Sequence, residues 1–458
     1  MKLQNLPGSI HENSFFRSID TLSSPFFKTA IYSGYGLYKL IKFKTDSFKN
    51  KIDLLNENFK MIEEQIESYQ INKMRDLLCH SYSNVNYYRK LFDKIGFNPE
   101  IENIDEINEI PLLTKEIITE NYENLISDNF EDFSPKVWHT GGSTGKPLRF
   151  LIDKEMALFR LAELRRHWSN HGYDYRDKVV IIRGRVLETR FNTEKSNPWV
   201  WDYSQNFLYL SSYHLNDFFM NKYADLIRNW KPKFISAYPH SIFTFCKFLL
   251  RNKIKLNVDV VFTSSETLFP HYRETISKAL NCKVVDHYGL GEPGTFASGE
   301  CCEGNIRFSS DISYLEIVDS TGNSLNNGQN GEIVETCLHN FSMPFIRYRT
   351  NDYGMIRENR CGCESDFPII NNLEGRVEDM IINSVGASVP PAPLTLSYEY
   401  IMSIDKCQFL QDSEGNLTVK IVPKPSFTSK DWDNYKSILK KILGKKMPIN
   451  LELVDKIP

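Results

Sequence analysis

Apolar residues in this chain first recur at helical spacing. Between about Phe48 and Leu91 the groups Met61, Ile62 and Ile66, then Met74, Leu77, Leu78 and Tyr82, keep a 3.6-residue period, which predicts two or three helices. Farther on the pattern changes. Glu155 to His171 is still helical in period, but Lys178-Val-Val-Ile-Ile-Arg183 is a short continuous apolar run stopping at the turn signal Gly184, as in a buried strand. The alternation then repeats through Phe234-Ile-Ser-Ala-Tyr238, a helix from Ser241 to Leu250, Val258-Asp-Val-Val-Phe-Thr263, a helix from Pro270 to Leu280, and Lys283-Val-Val-Asp-His-Tyr288. Strands and helices in alternation predict an α/β fold with mostly parallel sheet flanked by helices. Near the end, the strand Leu417-Thr-Val-Lys-Ile-Val422, a helix from Ser429 to Leu443 and the strand Ile449-Asn-Leu-Glu-Leu-Val454 predict a small α+β unit.

Composition narrows the classes. A chain of 458 residues, 41% of them hydrophobic and 13% aromatic, can bury a large core and fill two or more domains. A formal net charge of -3 argues against nucleic acid as the main partner. No apolar run reaches the roughly 18 to 20 residues of a membrane span, and Met1-Lys-Leu-Gln-Asn-Leu-Pro-Gly8 has no signal-peptide core, so a cytoplasmic location is expected. The odd count of nine cysteines suits reduced thiols or metal ligands better than a disulfide framework. The segment from Phe26 to Lys44 mixes aromatics with lysines, which suits either peripheral association with an anionic membrane surface or packing against its own domain.

Candidate chemistry begins at His139-Thr-Gly-Gly-Ser-Thr-Gly-Lys-Pro147. Gly141, Gly142 and Gly145 let backbone N–H groups turn toward an anion, Thr140, Ser143 and Thr144 bring hydroxyls, and Lys146 adds a mobile positive charge. Thr140 and Pro147 stand where a Walker loop needs glycine and Ser or Thr, so this is either another kind of phosphate cradle or a polar hairpin turn. Ligands of parallel α/β sheets sit beyond the carboxyl ends of the strands. Three such ends carry reactive or polar residues: Tyr238-Pro-His240, Thr263-Ser-Ser-Glu-Thr267, and Tyr288-Gly-Leu-Gly-Glu-Pro-Gly294.

With these motifs in this order, the chain from about Leu77 onward resembles the adenylate-forming enzymes, in the branch of phenylacetate-CoA ligase and CapK-type capsular polysaccharide proteins. The resemblance implies that residues 140–146 hold ATP phosphates, with Lys146 catalytic. It implies that Tyr288 stacks on adenine and that Glu292 holds Mg2+, roles that an aromatic face and a hard carboxylate can fill. Ser265, Glu266, His287 and Gly289 fall at the same nucleotide-binding strand ends, and Tyr238 and His240 at the substrate end. Gly291 departs from the family, which usually has threonine there to contact the α-phosphate. Arg347-Tyr-Arg-Thr-Asn-Asp-Tyr-Gly354 resembles the family's ribose motif, assigning Asp352, with Asn351 in place of a glycine. Gly375-Arg-Val-Glu-Asp379 resembles the motif that gives Arg376 a nucleotide and catalytic role, with Glu378 near a hinge. Residues 1–377 then form a large domain whose first 110 residues are mainly helical, and 378–458 a small C-terminal lid. Singly, each arginine or aspartate reads more readily as a salt-bridge partner, and the motifs in family order reverse that preference.

Cys301-Cys-Glu-Gly-Asn-Ile-Arg307 and Cys361-Gly-Cys363 resemble the cysteine elements of some branch members and imply a structural Zn2+ on Cys301, Cys302, Cys361 and Cys363. Arg307 stands at a histidine position and cannot ligate, and unligated thiols in a turn are the competing reading. The family's terminal lysine is not transferred to Gly444-Lys-Lys446, which precedes the last strand. Either the sequence given is shorter than the whole or adenylation here proceeds without that lysine. The expected activity is ATP-dependent activation of a carboxylate, a small molecule or sugar acid, as an acyl-adenylate. Acceptors are an amine or hydroxyl in polysaccharide synthesis, or the CoA thiol. Trp199 and Trp201 are candidates for an acyl or sugar pocket or for core. The opposing expectation is a non-catalytic homologue that binds nucleotide or a partner.

Overall fold

A computed structural model describes residues 25–140, 148–184, 187, 197–358, 361–363, 365–374, 381–384, 388–389, 394, 397–398, 401 and 403–457. Four helices lead: α1 (Pro25–Phe43), α2 (Asp46–Asn58), α3 (Glu63–Asn84) and α4 (Asn86–Ile95). Ile66, Met74, Leu77 and Leu78 all turn inward on α3, as their spacing predicts. Gly96, at φ +70°, stops α4 in the left-handed conformation that glycine adopts at little cost. Two short helices, α5 (Lys115–Glu120) and α6 (Tyr122–Leu125), then lead to a hairpin of β1 (Lys136–His139) and β2 (Arg149–Ile152). Helix α7 (Lys154–Ser169) follows.

The central sheet uses β3 (Val179–Arg183), β4 (Trp199–Asp202), β5 (Phe207–Ser211), β6 (Phe234–Ala237), β7 (Val260–Ser264), β8 (Lys283–Tyr288) and β9 (Ser298–Gly299). Their order is β4-β5-β3-β6-β7-β8-β9; the inner five run parallel and the two edge strands antiparallel. The inner strands are buried on both faces, which explains their unbroken Val, Ile and Phe runs. Helices α8 (Asp217–Trp230), α9 (Pro239–Arg251) and α10 (Pro270–Leu280) connect them and pack in one apolar cluster with Val180, Ile235 and Val261. Proline opens both α9 and α10, where its missing N–H costs nothing. The second face of the sheet buries Val179, Phe234, Phe262 and Val285 against Trp168 of α7.

Beyond β10 (Ile306–Arg307) the chain builds an antiparallel sheet of β11 (Ser313–Val318), β12 (Gly331–Cys337), β13 (Tyr348–Ile356) and β14 (Ile369–Glu374), in the order β10-β14-β13-β12-β11. After the pairs β15 (Ile381–Ile382) and β16 (Ser388–Val389) comes a three-stranded sheet of β17 (Ile404–Gln411), β18 (Leu417–Pro423) and β19 (Ile449–Leu453). Helix α11 (Ser429–Leu443) makes the crossover between parallel β18 and β19 and starts in a capping box of Thr428 and Asp431. The predicted strand–helix–strand unit is therefore present, with β17 added. Trp199 and Trp201 lie on edge strand β4. Trp201 packs on Tyr203 and Trp230 and Trp199 on Tyr223, the core reading of the two.

Candidate functional site

The carboxyl ends of β3, β6, β7 and β8 converge. Arg183 closes β3 and donates to Ser264 Oγ at 2.7 Å and Ser236 Oγ at 3.3 Å, while its guanidinium lies 5.1 Å from the Tyr238 ring centre. Tyr238 is the residue before α9, and Ser265 bends the chain after β7 at φ +71°. Glu266 Oε2 accepts from the backbone N–H of His240 at 3.1 Å, so this carboxylate sits at the N-terminus of α9, where the helix dipole favours it. The His240 ring meets the Tyr272 hydroxyl at 3.1 Å and Thr244 at 3.3 Å. Burial, with the Arg183 charge nearby, drives His287 down to about 3, leaving its imidazole neutral at ordinary pH.

The loop after β8 has the densest set of contacts. Tyr288 donates to Asp352 Oδ2 at 2.8 Å, which joins the expected adenine and ribose residues from two different sheets. Asn351 enables the approach of β13 at φ +61°, a conformation asparagine adopts more readily than most residues. Gly289 is required: a Cβ there would stand 1.9 Å from Phe296 O. Arg160, buried on α7, reaches across to donate to Leu290 O at 2.8 Å, Gly291 O at 3.0 Å and Glu292 O at 3.3 Å. One turn on, Glu163 Oε2 accepts from Phe296 N at 2.8 Å. From β12, Glu335 Oε1 accepts from Thr295 N at 3.4 Å, and burial pushes its carboxyl up to about 8.

Glu292 itself is buried. Its Oε1 accepts from the Tyr348 hydroxyl at 2.9 Å and lies 3.8 Å from Lys115 Nζ. A single hard carboxylate beside a cation fits Mg2+, which takes one or two protein carboxylates and completes its shell with water and phosphate oxygens. Beside it, the nearest heavy atom among the described residues to a Cβ built on Gly291 is Thr140 Cγ2 at 3.9 Å. Thr140 opens the glycine loop and closes its hairpin, donating from N to Leu148 O and accepting at Oγ1 from Leu148 N, both at 3.0 Å. Gly141, Gly142, Ser143, Thr144, Gly145 and Lys146 lie outside the described residues, as do Arg376 and Glu378. The two arginines of the ribose motif make ion pairs. Arg347 is buried on Glu316 at 2.8 Å, and Arg349 pairs with Glu332.

The cysteines gather as well. The sulfurs of Cys301, Cys361 and Cys363 lie within 4.8 Å of one another, and Cys302 Sγ is 2.8 Å from Cys363 Sγ. Arg307 does not ligate; it donates to Cys361 Sγ at 2.7 Å. Sulfurs at about 2.3 Å from a tetrahedral zinc stand roughly 3.8 Å apart; the spacing of Cys301, Cys361 and Cys363 is compatible with that, whereas Cys302 lies closer to Cys363 than a shared ion allows.

Known proteins resemble this chain along most of its length. Residues 381–458 match the family profile described as the CapK C-terminal domain. Over 422 residues the chain is 24% identical to Protein CapK of Staphylococcus aureus, covering 88% of this chain and 89% of that protein. It is 25% identical over 393 residues to the phenylacetate-coenzyme A ligase of Escherichia coli (strain K12), covering 79% and 84% respectively. The chain is similar to CapK and to the phenylacetate-CoA ligases along most of its length. Its fold is that of a 2-hydroxyisobutyryl-CoA ligase solved with 2-HIB-AMP and CoA in the thioesterification state: TM-score 0.61, 16% identity, covering 88% of this chain and 89% of that one. The resemblance drawn from the motifs is thereby borne out, and so is the α/β fold.

Within this CapK-like frame, the motifs missed two residues. Lys115 follows the run Ile110-Pro-Leu-Leu-Thr, and Leu113 pairs with both Arg347 and Arg349 through backbone hydrogen bonds, which carries Lys115 to Glu292. Thr114 caps α5, so its position before Lys115 was the available signal. Arg160 had no local signal, since a lone arginine in an amphipathic helix reads as surface.

Proposed function

We propose that this chain is an AMP-forming ligase that activates a carboxylate with ATP and passes the acyl group to an acceptor. The observation that carries the reading is the pairing of Tyr288 with Asp352 beside a buried Glu292 held by Tyr348. The acid's carboxylate oxygen attacks the α-phosphorus, the bond to the bridging oxygen breaks, and pyrophosphate leaves. The acceptor then attacks the acyl carbonyl and AMP departs. Tyr288 would offer its ring to adenine and Asp352 its oxygens to ribose; Lys146 and Arg376 would face the phosphates and ribose. Glu292 would hold Mg2+, which when bound offsets phosphate charge. Ser265, Glu266, His287 and Gly289 shape the nucleotide end, and Tyr238 and His240 the acyl end.

The CapK-type branch that the motifs resemble implies a sugar acid or a polysaccharide-linked amine or hydroxyl as the substrates, and the chain is similar to CapK along 88% of its length. Likeness to the phenylacetate-CoA ligases supports the CoA thiol as acceptor. The thiols of Cys301, Cys361 and Cys363, joined by Cys302 once it moves off its close contact with Cys363, would hold a structural Zn2+. Residues 1–377 and 378–458 would move as body and lid.

The test is ATP–pyrophosphate exchange with Mg2+ across aryl acids, amino acids and uronic acids. Exchange with one class of acid, lost in Glu292→Ala and Asp352→Ala, supports the reading and names the substrate class. ATP binding with no exchange for any acid favours the non-catalytic reading, which Gly291 motivates.

A further inference from the structure

We infer that the outward face of α1 docks on the surface of an anionic lipid bilayer. The inner face of this helix is fixed to the body by specific contacts. Tyr32 packs edge-on against Tyr209, Ser33 Oγ accepts from Tyr203 N at 3.0 Å, and Lys28 Nζ turns inward to donate to Leu187 O at 2.6 Å. Gly36 lies so close to Asp202 that a Cβ there would fall 2.2 Å from its carboxylate oxygen. These contacts set the rotation of the helix.

The face this rotation leaves outward is apolar. Phe26 is 78% exposed, Phe27 62%, Leu37 53%, Tyr38 50% and Ile41 59%. With Ala30 and Gly34, also exposed, they form one stripe at helical spacing along 19 residues, roughly 28 Å. Tyr203, tied by its backbone to Ser33, adds a ring that is 65% exposed beside the helix. A water-facing helix ordinarily places charge on its outer face, so a stripe of this size marks a contact surface.

Charge selects the occupant. From Pro25 to Lys44 there is no Asp or Glu, whereas Lys39, Lys42 and Lys44 lie there in addition to the inward-turned Lys28, in a chain whose net charge is -3. Lys44 is exposed just past the helix, and Lys39 lies over the Tyr35 ring at 4.8 Å. Aromatic and aliphatic side chains on one face, lysines and no acids are the features of a helix lying in the headgroup region of an anionic bilayer. No described helix is long and apolar enough to cross a membrane, so the helix lies on the surface. Such docking would bring the carboxylate-activating site beside acceptors carried on lipid, and it stands on α1 alone, whatever that site activates.

The experiment is flotation of the full chain with phosphatidylcholine vesicles, with and without phosphatidylglycerol, at low and at physiological salt. The unmodified chain is expected to float at least about tenfold better with phosphatidylglycerol and to lose part of that gain with salt. A Phe26→Ser, Leu37→Ser, Ile41→Ser variant and a Lys39→Glu, Lys44→Glu variant are each expected to float on the order of tenfold less, with unchanged thermal stability and pyrophosphate exchange. The lysine variant removes no apolar side chain, so it decides the matter even if the serine variant unfolds. Absence of binding to anionic vesicles, or binding equal in folded variants, overturns the inference. So does a dimer that the serine variant converts to monomer, which would make a second copy the occupant.

Discussion

Gly291 concentrates the question of rate in one position. Among the described residues, a Cβ there meets its first heavy atom, Thr140 Cγ2, at 3.9 Å, an ordinary van der Waals distance. One added hydroxyl donor at the α-phosphate is worth about 1 kcal/mol, so Gly291→Thr is expected to raise pyrophosphate exchange about fivefold at unchanged melting temperature. An unchanged rate would take the α-phosphate away from this position. Tyr348→Phe tests the neighbouring contact. It removes the hydrogen bond to Glu292 Oε1 while keeping the ring, and is expected to lower kcat about tenfold with little effect on stability. Asp352→Asn should instead act mainly on the KM for ATP, since the ribose is bound alike before and during reaction. An equal loss in kcat would place Asp352 in the chemistry.

At the scale of elements, α7 holds the loop between β8 and β9. Arg160 takes three successive carbonyls, and its guanidinium is sandwiched near the rings of Trp138 and Phe296 at 5.2 and 4.4 Å. Burial pulls it down to about 10, still cationic at neutral pH. Lysine keeps the charge but lacks the fork that meets several acceptors at once. Arg160→Lys is therefore expected to let the loop carrying Glu292 shift, lowering exchange on the order of 10²-fold. ATP-dependent quenching of nearby tryptophan fluorescence, titrated in parallel, would show whether binding survives. If Arg160→Lys exchanges like the unmodified chain, the loop is held by Glu163 and Glu335 alone.

Across the whole molecule, buried titratable groups set how stability follows pH. Burial raises Glu335 to about 8, Asp286 to about 7 and Asp153 to about 6. Between its ordinary value near 4.5 and about 8, folded Glu335 keeps a proton that the unfolded chain releases, so stability falls as pH rises through that window. Histidines act in the opposite sense: burial lowers His287 to about 3 and His171 and His339 to about 4. The unfolded chain binds their protons first, so their contribution is lost as pH falls below about 6.5. Above 6.5 the raised acids lower stability, joined toward pH 9 by buried thiols such as Cys282 and Cys337, raised to about 12, and opposed by Cys363, lowered to about 6. The melting temperature is expected to fall from pH 7 to 8.5, and Glu335→Gln, which copies the protonated form, should flatten that fall. A profile level in the unmodified chain would mean that Glu335 is ionised in the fold.

What the sequence determined by itself was local. Runs of Val and Ile gave the parallel strands, Pro239 and Pro270 opened their helices, and Thr428 with Asp431 started α11. The order of the nucleotide motifs also stood in the sequence, although two of them, at 141–147 and 375–380, lie outside the described residues. The antiparallel sheet was hidden. All seven residues of β12 are buried, yet Glu332, Glu335 and Thr336 interrupt the apolar pattern that announces a buried strand. Arg349 compensates Glu332 and burial raises the Glu335 carboxyl to about 8, and neither effect is visible along a chain. Only the tertiary structure brought Tyr288 to Asp352 across 64 positions, Glu292 to Tyr348 across 56, and Arg160 to Leu290 across 130. Dihedral preference and apolar period act over a few residues, whereas these contacts depend on how two sheets and a helix pack against each other.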